Sequence, residues 1–344
     1  MPHFYAAAPA VASASALPSG RIGVLIVNLG TPDSPSYFAV QRYLRQFLSD
    51  PRVIDTPRLI WLPLLYGAVL PLRPLKTARN YAKIWMSEGS PLAVYSKRLA
   101  AKIGALLQTA FNGQVCVELA MTYGNPAIPQ AIRRFSELGI ERLLVLPLYP
   151  QYCSATTGSV VDGTTRALRR WRKLPEIRFV NDYHDDPGYI DALAARIRPY
   201  VSSDQRSHLL FSYHGIPAAY VAKGDPYQRQ TEATTGLVVS RLGLAENQWS
   251  HCYQSRFGRV EWLKPYTVDK IKELADRGVR QLTVASPSFA VDCLETLEEV
   301  AIEYRSLFLE RGGEGLTLVP GLNDGDDHAE ALAAVVGNQL KGWS

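Results

Sequence analysis

The sequence has 344 residues, of which 47% are hydrophobic, and its formal net charge is +5. This length and apolar content are sufficient for a large core and predict about two domains. Because the basic residues are scattered and form no stripe, the charge pattern argues against binding to nucleic acid. No apolar run reaches about 18 residues, so we expect no transmembrane helix.

The first 19 residues are rich in Ala, Ser and Pro. They lack the basic and compact apolar regions of a secretory signal, so we predict a disordered tail over residues 1–19. The four cysteines are widely spaced and form no Cys-x-x-Cys pair. This spacing predicts reduced thiols and gives no ligand set for an iron–sulfur cluster.

A strand pattern recurs along the rest of the chain. The stretch from Arg21 to Gly30 is almost continuously apolar and ends in glycine, which is typical of a strand buried on both faces in a parallel sheet. Similar runs occupy residues 115–124, 142–150, 207–215 and 280–289, with weaker candidates at 176–183 and 249–255.

Amphipathic helical segments separate these strands. Ser90 and Pro91 are typical of a helix start, because serine caps the first turn and proline suits its first position. Other helices are predicted near residues 126–138, 157–173, 188–202, 227–243, 267–278, 292–310 and 325–341. The alternation predicts an α/β fold of parallel sheets with helices on both faces.

The polar link at residues 203–206 is the predicted domain boundary. It gives an N-terminal domain over residues 20–203 and a C-terminal domain over residues 204–344. Neither half has a GxGxxG motif after its first strand, and no phosphate-binding loop is present, so no motif supports nucleotide binding.

His214 ends the predicted strand at residues 207–215 and is followed by Gly215 and, after one residue, by Pro217. Because ligands of open α/β sheets bind at the carboxyl ends of the strands, a histidine here is presented to a ligand. The alternative is a core histidine whose ring is satisfied by a hydrogen bond. Position alone does not decide between the two.

Four carboxylates follow the last long strand, at spacings of three, four and four residues. At about 100° per residue, an α-helix would place them on one face. Such a face is either solvated or, near His214, suited to binding a divalent metal transiently or to relaying protons. The four residues are Asp292, Glu295, Glu299 and Glu303.

Several motifs resemble signature segments of the ferrochelatases, which insert ferrous iron into a porphyrin to complete haem synthesis. They are NLGTP (28–32), LSDPRVID (48–55), LPLYPQYCSATTGS (146–159), FSYHGIP (211–217), GDPY (224–227), YQSRFG (253–258), EWLKPYT (261–267) and DCLETLEE (292–299). The resemblance covers residues 20–341 and is closest to the protoporphyrin-using enzymes of Gram-negative bacteria. It implies a lyase with two Rossmann-like, chelatase-type domains, a porphyrin cleft between them, and no nucleotide or organic cofactor.

The resemblance also implies roles for individual residues. His214 and Glu295 match the catalytic and metal-binding pair, and which of them binds iron and which accepts protons stays open. Glu299 and Glu303 match an acidic line that carries metal or protons, and Asp292 shares their predicted helix face. The positions that match porphyrin contacts are Leu29, Tyr123, Tyr149, Trp262 and Phe289.

Further expectations concern cofactors and partners. Some relatives carry a [2Fe–2S] cluster in a C-terminal extension, but no cysteine follows Cys293, so we expect no such cluster. The apolar segment 59–75 matches the lip of the family's cleft and is either a contact with the inner membrane or a buried helical hairpin.

We expect a cytoplasmic protein acting on Fe²⁺ and protoporphyrin IX. The alternatives are a chelatase for another tetrapyrrole, such as coproporphyrin, and a non-catalytic porphyrin- or haem-binding protein. The oligomeric state is not predicted.

Overall fold

The fold consists of two compact units, each with its own four-stranded parallel sheet. The computed structural model of this chain describes residues 21–169, 171–202, 204–258 and 260–343. The predicted disordered tail at residues 1–19 lies outside the described residues. Helices flank the strands along the chain in both units, so the predicted α/β class is confirmed.

The strands follow the apolar runs closely. In chain order they are β1 (Ile22–Asn28), β2 (Val115–Met121), β3 (Arg142–Pro147), β4 (Glu176–Phe179), β5 (Ser207–His214), β6 (Trp249–Gln254), β7 (Gln281–Ala285) and β8 (Gly315–Leu318). The first sheet has the order β2-β1-β3-β4, and the second has the equivalent order β6-β5-β7-β8. All seven residues of β1 are buried, as its unbroken apolar run predicts. β8 was not predicted, because it starts at a glycine and its two leucines are separated by Thr317.

The helices connect the strands as crossovers. They are α1 (Tyr37–Leu48), α2 (Arg58–Leu64), α3 (Leu70–Ile84), α4 (Pro91–Ala110), α5 (Ile128–Glu137), α6 (Ser159–Leu168), α7 (Pro187–Ile197), α8 (Ala218–Ala222), α9 (Tyr227–Leu242), α10 (Thr267–Asp276), α11 (Arg305–Glu310) and α12 (Asp326–Leu340). At the start of α4, the Ser90 side chain accepts a hydrogen bond from Ala93 N at 3.2 Å, which confirms the predicted cap.

Three segments are π-helical: Leu65–Val69, Ser154–Gly158 and Glu295–Tyr304. A π-helix has i→i+5 hydrogen bonds and therefore more residues per turn than an α-helix. The helix predicted at residues 292–310 is therefore π-helical over Glu295–Tyr304 and continues as the α-helix α11. Such segments frequently lie at functional sites.

The predicted lip at residues 59–75 is one continuous helical stretch made of α2, the first π-helical segment and the start of α3. The alternative of a buried helical hairpin is therefore wrong. Trp61, Leu65 and Leu70 are buried on one side. The opposite side exposes large apolar side chains, namely Leu59, Ile60, Leu64, Tyr66, Leu72 and Leu75. Among the described residues, no helix is both long and apolar enough to cross a membrane.

The division into units differs from the predicted boundary at residue 203. The second unit takes in residues 149–153 and 183–328, and the rest of the described chain forms the first unit. Helix α7 belongs to the second unit, where it packs on α9 and the Tyr189 hydroxyl donates to the Pro287 carbonyl at 2.7 Å. The C-terminal residues belong to the first unit, where the Arg178 guanidinium lies 4.1 Å from the Trp343 ring centre.

We predict that Gly30→Ala strongly destabilises the fold. Gly30 has a φ of +104°, and a Cβ atom there would lie 1.7 Å from the Tyr123 carbonyl oxygen. The free energy of unfolding, measured with urea, should fall by at least about 3 kcal/mol. The control is Gly236→Ala in α9, where a Cβ meets open space and should stabilise the helix by about 0.5–1 kcal/mol. Equal stability of the two variants would contradict the prediction.

A buried polar cluster lies beside β6 in the second unit. The His251 ring stacks on Tyr213 with 4.8 Å between ring centres and meets the edge of Tyr253 at 4.9 Å. Its Nδ1 lies 2.9 Å from the Thr235 hydroxyl oxygen. Burial lowers the pKa of His251 from 6.5 to about 4. The folded protein therefore holds this imidazole neutral.

We predict an acid-dependent loss of stability from His251. Between the folded pKa of about 4 and the unfolded value of 6.5, the unfolded chain binds more protons, so the free energy of unfolding falls as pH decreases through this range. Urea unfolding at about pH 7 and about pH 5 should show a smaller loss for His251→Gln than for the wild type. Comparing the two proteins cancels the carboxylates that titrate in both. Equal losses would contradict this assignment.

Candidate active site

In the second sheet, β5 and β7 are neighbours although β6 lies between them in sequence. The order of the parallel strands along the sheet therefore reverses between β5 and β7. The loops after these two strands leave the sheet in opposite directions, and this point of an open α/β sheet is where ligands bind. β5 ends at His214, and residues 286–292 follow β7. The predicted strand-end histidine is therefore at the ligand edge of its sheet.

The His214 ring has one defined tautomer. Its Nδ1 lies 2.7 Å from the Gly215 carbonyl oxygen, which can only accept a hydrogen bond, so Nδ1 carries the proton. In the neutral ring Nε2 then has a lone pair, as a metal ligand or a proton acceptor requires. The backbone N–H of His214 donates to Ser288 Oγ at 3.3 Å, which ties the end of β5 to the loop after β7.

Two aromatic rings lie beside this imidazole. The ring centres of Trp262 and Phe289 are 6.3 and 6.4 Å from that of His214. Gly215 permits this approach, because a Cβ atom there would lie 3.1 Å from Trp262 Cε3 and 2.9 Å from the Gln254 carbonyl oxygen. The structure thus brings together three of the predicted site residues, half-buried, at one strand end.

Glu295 is the first residue of the long π-helical segment and is half-buried. The thiol of Cys293 is hydrogen-bonded to its side chain. Burial and, next, the Glu295 charge raise the pKa of Cys293 well above its usual value, so this cysteine stays a neutral thiol.

Glu299 lies one π-helical turn further on and is held by four donors. Ser255 contributes its backbone N–H at 3.1 Å and its hydroxyl at 2.5 Å, and the Tyr304 hydroxyl donates at 2.6 Å. The Gln254 amide completes the set at 3.4 Å. Burial and the adjacent Glu299 charge raise the pKa of Tyr304, so its hydroxyl remains a donor. Glu299 is therefore a fixed carboxylate.

Asp292 and Glu303 do not share this environment. Asp292 is buried and accepts hydrogen bonds from Thr296 Oγ1 at 2.9 Å, Asn323 Nδ2 at 2.7 Å and Gly321 N at 3.2 Å. Glu303 is exposed. The expectation of one α-helical face fails for Asp292, which precedes the helix, whereas Glu295, Glu299 and Glu303 stay close to one face because a π-helix has more residues per turn and a spacing of four still nearly completes a turn.

The first unit positions Leu29 and Tyr123 at the carboxyl ends of β1 and β2. The Tyr123 N–H donates to the Leu29 carbonyl at 2.9 Å, and its hydroxyl donates to Asp50 Oδ2 at 2.7 Å. Tyr123 is buried, whereas Leu29 is half-buried. The tyrosine therefore supports the Leu29 turn from inside the unit. Tyr149 falls in the second unit, half-buried near Tyr183.

Comparison with known proteins identifies the family. The ferrochelatase family model matches residues 21–340. The chain belongs to the ferrochelatase family. A ferrochelatase of Thioalkalivibrio sulfidiphilus is 48% identical over 94% of this chain and 88% of its own length. A ferrochelatase of Vibrio parahaemolyticus is 47% identical over 92% of this chain and 98% of its own.

Solved structures of other chelatases share the fold. SirB from Bacillus subtilis, determined with Fe³⁺, has a TM-score of 0.55 at 11% identity and covers 92% of this chain and 95% of its own. CbiX, described as the terminal enzyme of sirohaem biosynthesis in denitrifying bacteria, has a TM-score of 0.50 at 15% identity, over 92% of this chain and 99% of its own. These similarities confirm the predicted pair of Rossmann-like chelatase domains.

Sequence reasoning missed several polar residues of this ferrochelatase-family site. Glu298 is buried within the π-helical segment, although the α-helical pattern gave it no role. Gln254 and Ser255 occupy the YQSRFG motif, but the motif itself assigned them no contact. The available signal was their place at the end of a predicted strand, the same signal that drew attention to His214.

We predict different consequences for two carboxylates that the sequence placed together. Asp292→Ala should lower the free energy of unfolding by about 3 kcal/mol, because one buried and two partly buried donors lose their acceptor. Glu303→Ala, at an exposed position, should change it by no more than about 0.5 kcal/mol. Urea unfolding of both variants measures the difference. Similar losses would indicate that the two residues do form one cluster.

Proposed function

We propose that this chain inserts Fe²⁺ into protoporphyrin IX to give protohaem. The reaction replaces two pyrrole N–H bonds by bonds to the metal and releases two protons. The observation that carries the proposal is the fixed tautomer of His214, whose ring lies beside those of Trp262 and Phe289, in a member of the ferrochelatase family. The chain is accordingly a metal-chelating lyase, and Fe²⁺ is its substrate.

His214 and Glu295 are the proposed catalytic and metal-binding residues. The Nε2 lone pair of His214 accepts a pyrrole proton or binds iron, but it cannot do both at once. A carboxylate at residue 295 provides the second basic group that the two departing protons and the entering cation require. Nitrogen and oxygen ligands bind first-row divalent ions without strong preference, which suits a metal that is passed on to the porphyrin.

The acidic residues further along divide into different roles. Glu299 is proposed to attract the cation or pass protons as a fixed charge, and the exposed Glu303 would form the outer end of that path. Asp292 is better explained as a structural acceptor, since all its recorded contacts close the loop before the helix.

The porphyrin would be held by apolar and aromatic side chains. Trp262 and Phe289 lie close enough to His214 to contact a ring centred over it. Leu29 is proposed to contact the macrocycle, with Tyr123 supporting it from behind, and Tyr149 remains a proposed contact. Binding that distorts the ring would expose its nitrogen lone pairs on one face, which aids metal entry.

The proposed partners follow from the substrate and from the lip. No nucleotide, organic cofactor or [2Fe–2S] cluster is required by this chemistry, and no nucleic acid is expected to bind. We propose a cytoplasmic protein whose exposed apolar lip residues touch the inner membrane, from which an apolar porphyrin would enter.

The test is an anaerobic assay with purified protein, Fe²⁺ and protoporphyrin IX. Loss of porphyrin fluorescence and growth of haem absorbance should proceed over many turnovers. Coproporphyrin III in a parallel reaction should turn over more slowly. Faster turnover of coproporphyrin would assign the chain to a different tetrapyrrole, and tight porphyrin binding without turnover would indicate a carrier.

We predict that His214→Ala abolishes insertion but not porphyrin binding. Removing the Nε2 lone pair should lower kcat at least about 1000-fold, with the porphyrin Kd changed by less than about tenfold. The control is His208→Gln, at the opposite end of β5, where Nε2 of the ring lies 2.9 Å from the Ser250 hydroxyl oxygen. Wild-type turnover by His214→Ala, measured in the same assay, would overturn the proposed role.

A further inference from the structure

Gln254 is a buried amide at the end of β6 whose side chain contacts two other elements, β5 and the π-helical segment. Its Oε1 accepts from Ser212 Oγ at 2.7 Å, while its Nε2 lies 3.1 Å from the Glu295 carbonyl oxygen and 3.4 Å from Glu299 Oε2. A carbonyl and a carboxylate can only accept hydrogen bonds, so the amide nitrogen must face the π-helical segment. The surroundings therefore allow this amide one orientation.

The backbone of Gln254 is connected to His214. The two residues are partners in the β5–β6 register, and the Gln254 carbonyl accepts from the Gly215 N–H at 2.9 Å. The carbonyl of Gly215 in turn accepts a hydrogen bond from Nδ1–H of His214. The hydrogen bonds of this one residue thus reach both the turn that fixes the imidazole tautomer and the helix that begins with Glu295.

We propose that Gln254 is a positioning residue that holds the start of the π-helical segment, and with it Glu295, in place relative to His214. This inference rests on the proposed function, because it concerns the geometry needed for metal insertion. The amide acts on the backbone of Glu295 and leaves its carboxylate available. It also orients Glu299, so that one side chain sets the positions of two acidic groups.

The hydrogen-bond donors of Gln254 are the feature that the proposal depends on. Gln254→Glu keeps the size of the side chain but replaces the amide NH₂ group with a carboxylate oxygen, which would face two acceptors. Gln254→Met keeps a similar length and removes all side-chain hydrogen bonds. Displacement of a reacting group by about 1 Å can reduce a rate about 100-fold, so even a small shift of Glu295 should be measurable.

The matched control is Gln230→Met. Gln230 is also a buried amide of the second unit, on α9, and its Oε1 accepts from Tyr152 N at 2.6 Å. This substitution removes a buried amide of equal size away from His214 and Glu295. The Tm of this variant therefore reports how far the loss of one buried amide destabilises the fold.

The experiment compares the wild type with these three variants in the full chain. Insertion of Fe²⁺ into protoporphyrin IX gives kcat and KM, and thermal unfolding gives Tm. Calorimetric titration with Co²⁺, without porphyrin, gives a reading of the metal site that does not depend on turnover. We expect kcat to fall about thirtyfold in Gln254→Glu, with KM within about threefold, and Co²⁺ affinity to fall about tenfold. In Gln230→Met, kcat and Co²⁺ affinity should stay within about threefold even where Tm decreases equally.

The outcomes separate this inference from the proposed function. Unchanged kcat and Co²⁺ affinity in both Gln254 variants would overturn the positioning role, and so would equal losses in Gln230→Met. A wild type that binds Co²⁺ but never metallates the porphyrin would overturn the proposed function. In that case the Co²⁺ titrations still decide whether Gln254 positions the metal site.

Discussion

The parallel pairing of β5 with β6 on one side and β7 on the other is the constraint on which the candidate site depends. It places the ends of three strands, His214, Gln254 and the loop after Ala285, at one edge of the second sheet. The strand ends are joined by hydrogen bonds, from the Gly215 N–H to the Gln254 carbonyl and from the His214 N–H to Ser288 Oγ. Because the strands are buried, the position of the imidazole is set by the core and not by the surface.

Much of the fold was predictable because its signals are local. Near-continuous apolar runs identified five of the strands and weaker patterns two more, and the glycine and proline after His214 indicated a strand end. β8 was not predicted, since it starts at a glycine and its two leucines are separated by Thr317, and α1 was not distinguished from its surroundings. The unit boundary escaped for a different reason: the packing of α7 and of the C-terminal residues depends on contacts between residues far apart in sequence.

The acidic segment shows where local reasoning fails. The α-helical wheel grouped Asp292 with the three glutamates, and the sequence does not reveal that Asp292 precedes the helix or that residues 295–304 adopt a π-helix. Hydrogen bonds from Gln254 and Ser255 hold this segment, and they are tertiary contacts. The family resemblance supplied roles for His214 and Glu295, but the arrangement that connects them required the structure.

The exchange of segments between the units bears on how the molecule can be divided. The chain crosses from one unit to the other at residues 148/149, 153/154, 182/183 and 328/329. A single break at any of these points leaves at least one unit without a piece of its own core. Neither unit therefore corresponds to one uninterrupted stretch of the chain, and a fragment that keeps all strands of one sheet still lacks segments that the same unit draws from elsewhere in the sequence.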